Sequence, residues 1–245
     1  MEAGRSVVHE SDIYFAPYDS EEIYCYSVDN DSWKSLEVKM PYCNPGLAII
    51  DGCDGRDGYV AAIGGQKEDH PTNEVWVWKN QHWVLYKSME YKRSDPAVIT
   101  SSDYNYVIAI SGNVRTNVAV PWTASVEIYI VRDSNWKCVS SLPSPHTGIE
   151  ATLCRNTVYV FPDQYKTGFK CSLGDLIWSS AEDQKVWEST EGSPLRFSTP
   201  ATIDDCVVCV GGANEKKCGL DEIHVYDEAA NSWNYFQVRG VGSEG

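Results

Sequence analysis

Residues 59–83 read YVAAIGGQKEDHPTNEVWVWKNQHW. The apolar run Tyr59 to Ile63 is strand-sized and stops at Gly64-Gly65, a pair that permits backbone turns other residues resist. A polar stretch, QKEDHPTN, leads to a second apolar run around Trp76, and the turn-forming bridge Lys79-Asn80-Gln81 leads to Trp83. The same order recurs along the chain, with YVIAI before Ser111-Gly112 and CVVCV before Gly211-Gly212. Trp33, Trp83, Trp136, Trp187 and Trp233 follow one another at intervals of 50, 53, 51 and 46 residues. Seven residues ahead of each stand Tyr26, Trp76, Tyr129, Ser180 and Tyr226, an aromatic in four of the five cases. A period near fifty is the mark of a repeat architecture.

The first and fourth units lose the glycine pair, carrying IYF before Ala16-Pro17 and VYVF before Pro162-Asp163. Each unit still reads as a meander of four strands: strand a, such as Leu47-Ala48-Ile49-Ile50, strand b before the glycines, strand c at the aromatic and strand d at the tryptophan. Helical periodicity is nowhere convincing. Four antiparallel strands cannot cover both their faces alone, so such sheets stack on their neighbours. The expected fold is therefore all-β, a β-propeller of five four-stranded antiparallel blades. One domain is expected over residues 1–239, with units at about 1–40, 41–91, 92–143, 144–194 and 195–239, and a flexible tail at 240–245.

A strand ending in Gly-Gly, an aromatic in the next strand and a tryptophan seven residues later resemble the kelch repeat. The likeness runs over roughly residues 4–239. The WD repeat fits less well: its period is shorter, and none of the nine tryptophans is followed by a residue matching its signature. The resemblance gives Gly64, Gly65, Gly112, Gly211 and Gly212 a structural role as close-approach points. It makes Trp33, Trp83, Trp136, Trp187 and Trp233 fillers of the wedges between blades. Kelch propellers more often have six or seven blades, so five units imply either a closed five-bladed ring or a truncated six-bladed propeller.

Composition narrows the function. Twenty basic residues against 35 acidic ones give a net charge of −15, which opposes binding to nucleic acid or to anionic membrane surfaces. The first twenty residues lack the apolar core of a secretory signal, and no apolar run reaches spanning length, so a cytoplasmic protein is expected. Nine cysteines without a repeated spacing suit reduced thiols better than a disulfide framework. Cys206 and Cys209 lie three apart in one strand and point to opposite faces, as core thiols rather than a metal half-site. Copper and iron sites of kelch-fold enzymes need converging imidazoles or a fixed acid and imidazole spacing, and neither occurs. Glu68-Asp69-His70 and Asp221-Glu222-x-His224 read as solvated loop charges. No metal, cofactor or catalytic group is expected.

Function then falls to the loops. The b–c loop of the third unit, NVRTNVAVPWT, carries Arg115 and Trp122, residue types that anchor binding surfaces. At the lead-ins to the inner strands stand Asn44, Arg93, His146 and Arg196, positions that the kelch resemblance places near the channel mouth. There, arginines of some family members meet ligand carboxylates. The resemblance implies a noncatalytic protein-interaction module or scaffold, binding another protein through an acidic peptide segment. The implied setting is the substrate-recognition part of a ubiquitin-ligase or cytoskeletal assembly. The alternative is a kelch-fold enzyme acting on a small sugar or isomerisable metabolite in the central channel.

Overall fold

The computed structural model describes residues 4–50, 58–101, 105–114, 121–146, 148–162, 168–180, 199–213, 220–227, 230 and 232–238. The chain divides into two compact units, Met1–Pro145 and His146–Gly245. The first holds three blades. Blade 1 consists of β1 (Gly4–His9), β2 (Asp12–Pro17), β3 (Tyr24–Ser27) and β4 (Ser32–Ser35). Blade 2 follows with β5 (Gly46–Ile50), β6 (Tyr59–Ile63), a short loop hairpin of β7 (Gln66–Lys67) and β8 (His70–Pro71), then β9 (Val75–Lys79) and β10 (His82–Leu85). Blade 3 is β11 (Ala97–Thr100), β12 (Tyr106–Ile110), β13 (Val126–Ile130) and β14 (Asn135–Cys138). The second unit holds blade 4, β15 (Glu150–Cys154), β16 (Thr157–Phe161), β17 (Phe169–Ser172) and β18 (Ser179–Ser180). Blade 5 is β19 (Thr199–Ile203), β20 (Cys206–Val210), β21 (Glu222–Asp227) and β22 (Ser232–Gln237). Every blade is an antiparallel meander in simple order, so the fold class is all-β with five four-stranded blades of the β-propeller kind.

Within each unit the blades pack by one rule, which follows from the two-residue period of a strand. In blade 3, Val107, Tyr129 and Trp136 stand opposite one another across the sheet. This row packs against Ala48, Ala61, Val75 and Val77 of blade 2. The opposite face of blade 2, with Leu47, Ala62, Trp76 and Trp83, packs against Val7, Tyr14 and Ala16 of blade 1. In the second unit, Val207, Tyr226 and Trp233 of blade 5 meet Tyr159 and Phe161 of blade 4. Each tryptophan row thus covers the blade before it.

The indole nitrogens follow the same rule. Trp83 Nε1 donates to Val38 O at 3.4 Å and Trp136 Nε1 to Lys87 O at 2.8 Å, so both reach the chain segment after the outer strand of the preceding blade. A threonine ties the inner strands in the same way. Thr100 Oγ1 accepts from Ile49 N at 3.1 Å, and Thr202 Oγ1 donates to Leu153 O at 2.8 Å.

Two positions depart from the expected register. In blade 2 the hairpin turns on Asn80 and Gln81, both in the left-handed region at φ 51° and 63°. That tight turn sets Trp78, not Trp76, opposite Trp83, with ring centroids 5.3 Å apart. In blade 4, Ser180 belongs to the outermost strand and pairs with Phe169, so strand c lies earlier, at Phe169–Ser172. Ser179 pairs with Lys170, and the half-buried Trp178 immediately precedes this short strand. Trp187 lies outside the described residues. The fifty-residue period points to Trp187 and so sets strand c at Ser180, whereas strand c ends at Ser172.

Trp33, expected in a wedge, is 57% exposed, although it stacks on Tyr26 at 5.1 Å. Cys206 and Cys209 stand on opposite faces of β20 as expected, Cys209 buried and Cys206 half-buried. Among the described residues, no helix is long and apolar enough to cross a membrane.

Candidate binding rim

The lead-ins to the inner strands and the b–c loops of the first unit are tied by main-chain bonds. Cys43 pairs with Gln66, Thr72 with Arg93, Ser94 with Asn113 and Asn113 with Trp122, each as an antiparallel bridge. The glycine pair makes this ladder possible. Gly65, at φ 111°, donates to Arg93 O at 3.0 Å, and a Cβ there would lie 2.8 Å from Cys43 O. Asp95 N in turn donates to Asn44 O at 2.8 Å, so successive lead-ins are joined directly.

Asn44 is half-buried, with left-handed φ 54° just ahead of Pro45. Its Nδ2 donates to Asp19 Oδ1 at 2.8 Å, while its Oδ1 accepts from Asp19 N at 2.6 Å. The side chain therefore latches the b–c turn of blade 1. Asp95 repeats the conformation ahead of Pro96, at φ 51°, and accepts from Arg5 Nη2 at 2.8 Å and Nε at 3.1 Å. The Arg5 guanidinium also lies 5.8 Å from the centre of the Tyr18 ring. Sequence reasoning did not single out Arg5 or Asp95. The recurring Asn-Pro and Asp-Pro steps at Asn44 and Asp95 were the available signal.

Arg93 is the largest departure from the sequence reading. Its exposure is 0%, so it offers nothing to a ligand at the surface. Nη2 meets Glu127 Oε1 at 2.6 Å and Ser125 Oγ at 2.8 Å, while Nη1 donates to Ser111 O at 2.8 Å and Ser125 O at 3.0 Å. Glu127 also accepts from Glu90 N at 2.6 Å and Tyr91 N at 3.1 Å, which holds the approach to blade 3 in place. Burial pulls the guanidinium below its ordinary range, and the Glu127 carboxylate offsets that pull. A charge this deep persists because it is paired with Glu127 and both terminal nitrogens find oxygen acceptors, while Nε is buried with no hydrogen-bond partner among the described residues.

His146 is likewise inside. Its imidazole packs 5.2 Å from the Phe169 ring, and burial pushes its pKa down, keeping it neutral. Trp122 is half-buried where the two arms of its loop meet, with Val114 N donating to Pro121 O at 2.7 Å and Thr123 N to Gly112 O at 3.1 Å. Arg115 and Arg196 lie outside the described residues. The structure thus brings Asn44, Arg93 and Trp122 onto one bonded ladder, with Arg93 beneath it, and places His146 in the core of the second unit.

The two acid and imidazole clusters part company. Glu68, Asp69 and His70 are exposed in the β7–β8 hairpin, as expected. Glu222 and His224 are buried instead, because alternate residues of β21 share one face, and His224 Nε2 lies 3.1 Å from Glu222 Oε2. Burial pushes the pKa of His224 down against the pull of Glu222. Among the described residues, no group of three or more His, Cys, Asp or Glu is placed to hold a metal ion. Burial also pushes the thiols of Cys138 and Cys171 up to about 11 and about 12, which leaves them protonated and weakly nucleophilic at neutral pH.

No family model matches the chain. Among curated proteins it is similar to a RING finger domain and kelch repeat-containing protein of Dictyostelium discoideum, 27% identical over 126 residues that make up 51% of this chain and 12% of that protein. It is also similar to Kelch repeat and BTB domain-containing protein 3 of Pongo abelii, 25% identical over 182 residues, covering 68% of this chain and 29% of that protein. The human protein of the same name is 25% identical over 155 residues, covering 58% of this chain and 25% of that protein. The matches therefore span less than a third of these relatives' own length. All three are kelch-repeat proteins, in agreement with the repeat read from the glycines, aromatics and tryptophans.

Proposed function

We propose that the chain is a noncatalytic kelch-type interaction module and that the stitched loop rim of its first unit is a protein-binding surface. The observation that carries this reading is the ladder from Cys43 to Trp122, which fixes loops from successive blades by main-chain bonds and leaves Trp122 half-exposed among them. Loops held so firmly lose little entropy on binding, and a rigid aromatic is a good anchor.

The partner is another protein. On this rim an acidic peptide segment would be met by Arg115, since Arg93 is enclosed by Glu127 and Ser125, while Arg196 is a separate candidate in the second unit. The named relatives join kelch repeats to a RING finger or a BTB domain, which favours a recognition part of a larger ubiquitin-ligase or cytoskeletal assembly.

The test is quantitative capture of partners by wild type and by the Arg115→Ala, Trp122→Ala and Arg196→Ala variants, after circular dichroism shows them folded. Losing an anchor of about 2 kcal/mol should lower partner recovery by about thirtyfold. Equal recovery by Trp122→Ala and wild type would remove the rim from consideration.

A further inference from the structure

Blades 2 and 3 build the same frame at the start of strand c. Four residues ahead of Trp78 and Tyr129, the aromatics opposite Trp83 and Trp136, stand Glu74 and Ser125. Glu74 O accepts from Gly64 N at 2.9 Å and Ser125 O from Ser111 N at 3.0 Å, while Glu74 N donates to Thr72 Oγ1 at 3.2 Å and Ser125 N to Thr123 Oγ1 at 3.0 Å. The lead-ins correspond as well, since Tyr42 and Arg93 each stand three residues ahead of a proline that follows a left-handed residue, Asn44 or Asp95. In blade 3 the lead-in side chain lays its guanidinium on this position: Arg93 meets Ser125 Oγ, Ser125 O and the Glu127 carboxylate.

Blade 2 has a carboxylate there but no cation. Tyr42 OH donates to Glu74 Oε2 at 2.8 Å and Trp76 Nε1 to the same oxygen at 3.0 Å, and among the described residues no basic side chain pairs with Glu74. Both donors are neutral: burial and the hydrogen bond to Glu74 push the Tyr42 phenol up, so it stays protonated at neutral pH. Arg93 and Glu127 are closed off at 0% exposure, whereas Tyr42, Glu74 and Trp76 are all half-buried, on the stretch of rim tied by the Cys43–Gln66 and Thr72–Arg93 bridges. Burial and the carboxylates of Asp19, Glu21 and Asp69 push up the thiol of Cys43, the residue next to Tyr42, so the local field also favours a positive group.

We propose that Glu74, held by Tyr42 and Trp76, binds the guanidinium of an arginine presented by a partner protein. A guanidinium donates two parallel N–H bonds to one carboxylate and packs flat on aromatic rings, and Glu74 has a phenol and an indole bonded to it. An ammonium offers a point charge without that fork or plane, so lysine suits the site less. The chain's own use of Arg93 at the equivalent position of blade 3 identifies the group that this frame accommodates. The source of the arginine rests on the reading of the rim as a protein-binding surface. An acidic segment at Arg115 is compatible with it, because that residue belongs to the b–c loop of blade 3.

Titration with the peptide acetyl-Gly-Arg-Gly-amide, followed by the indole N–H resonance of Trp76, tests the site; the signal is identified by its loss in Trp76→Phe. It should shift to saturation with the arginine peptide, and the lysine peptide should bind more weakly. The citrulline peptide, neutral and of the same shape, should leave the signal unmoved. Glu74→Gln keeps an oxygen for Tyr42 and Trp76, so it is expected to fold, and it should weaken the arginine peptide by about tenfold or more. Glu68→Gln, at an exposed carboxylate of the same rim, should change nothing. If Glu74→Gln misfolds, the comparison of arginine with citrulline on wild type decides alone. An unmoved Trp76, a lysine or citrulline peptide that binds as well as arginine, or wild-type affinity in folded Glu74→Gln would each overturn the proposal. Such a failure, with partner recovery still lost in Trp122→Ala, would remove the arginine site and leave the rim standing; a bound arginine peptide with recovery unchanged in Trp122→Ala would do the reverse.

Discussion

Replacing Arg93 with Ala would leave the Glu127 carboxylate buried without its cation. Breaking a buried pair in this way costs about 3–5 kcal/mol, and chemical denaturation should show a loss of that order. A surface arginine of the kind the lead-in position suggested would cost almost nothing. Trp136 and Trp33 offer a second contrast. Trp136→Ala should lose about 3–5 kcal/mol by emptying a filled wedge, whereas Trp33→Ala at low protein concentration should lose less than about 1 kcal/mol because its site is solvated. Equal losses would mean that the two rows do not differ in cover. Gly65→Val should be destabilising through both its φ of 111° and the 2.8 Å approach of Cys43 O, and its melting temperature should fall clearly below wild type. The type of each of these residues was legible in the sequence. The cover over it was not, because burial depends on what packs against a residue.

At the scale of the element, the second unit holds two imidazoles, His224 in β21 and His146 in the lead-in to β15, whose pKa values are pushed below the ordinary 6.5 by burial. Above that value both are neutral in the folded and the unfolded chain, and the fold has their full contribution. As pH falls through about 6.5, the unfolded chain takes up protons that the folded chain resists, so stability drops toward acid. Unfolding at pH 7 and pH 5, followed by denaturant titration, should show this loss, and His146→Phe should reduce it. An unchanged slope in that variant would mean that His146 does not contribute. The blade 4 register makes a related point about legibility. Four strands and a closing tryptophan were expected there, but Ser180, seven residues ahead of Trp187, lies in β18 and pairs with Phe169 of β17, so the period does not mark strand c in this blade.

Over the whole molecule, 35 acidic residues against 20 basic ones make self-repulsion a steady opponent of compactness. Raising ionic strength from about 0.01 M to about 0.15 M shortens the Debye length from about 30 Å to about 8 Å. The thermal midpoint should therefore rise over that range, as scanning calorimetry can check. The exposed pairs Lys137–Asp133 and Arg155–Asp205 would be weakened by the same salt, but surface pairs contribute too little to reverse the trend. A falling midpoint would mean that specific ion pairs outweigh the net charge.

The linear order of residues determined the all-β class, the five meanders and the pairing of Tyr26, Tyr129 and Tyr226 with the tryptophans seven positions on, since strand alternation and turn chemistry are local and repeat with the chain. It also marked the glycines that let Arg93 O and Cys43 O approach Gly64 and Gly65. Tertiary structure alone decided that Arg93 lies beneath the rim, that Asn44 latches Asp19, that His224 is enclosed and that Trp33 is exposed where Trp136 is buried. Each of these outcomes depends on whether a second segment, distant along the chain, comes to lie against the first. That is a matter of packing in three dimensions, which neither the residue nor its immediate neighbours encode.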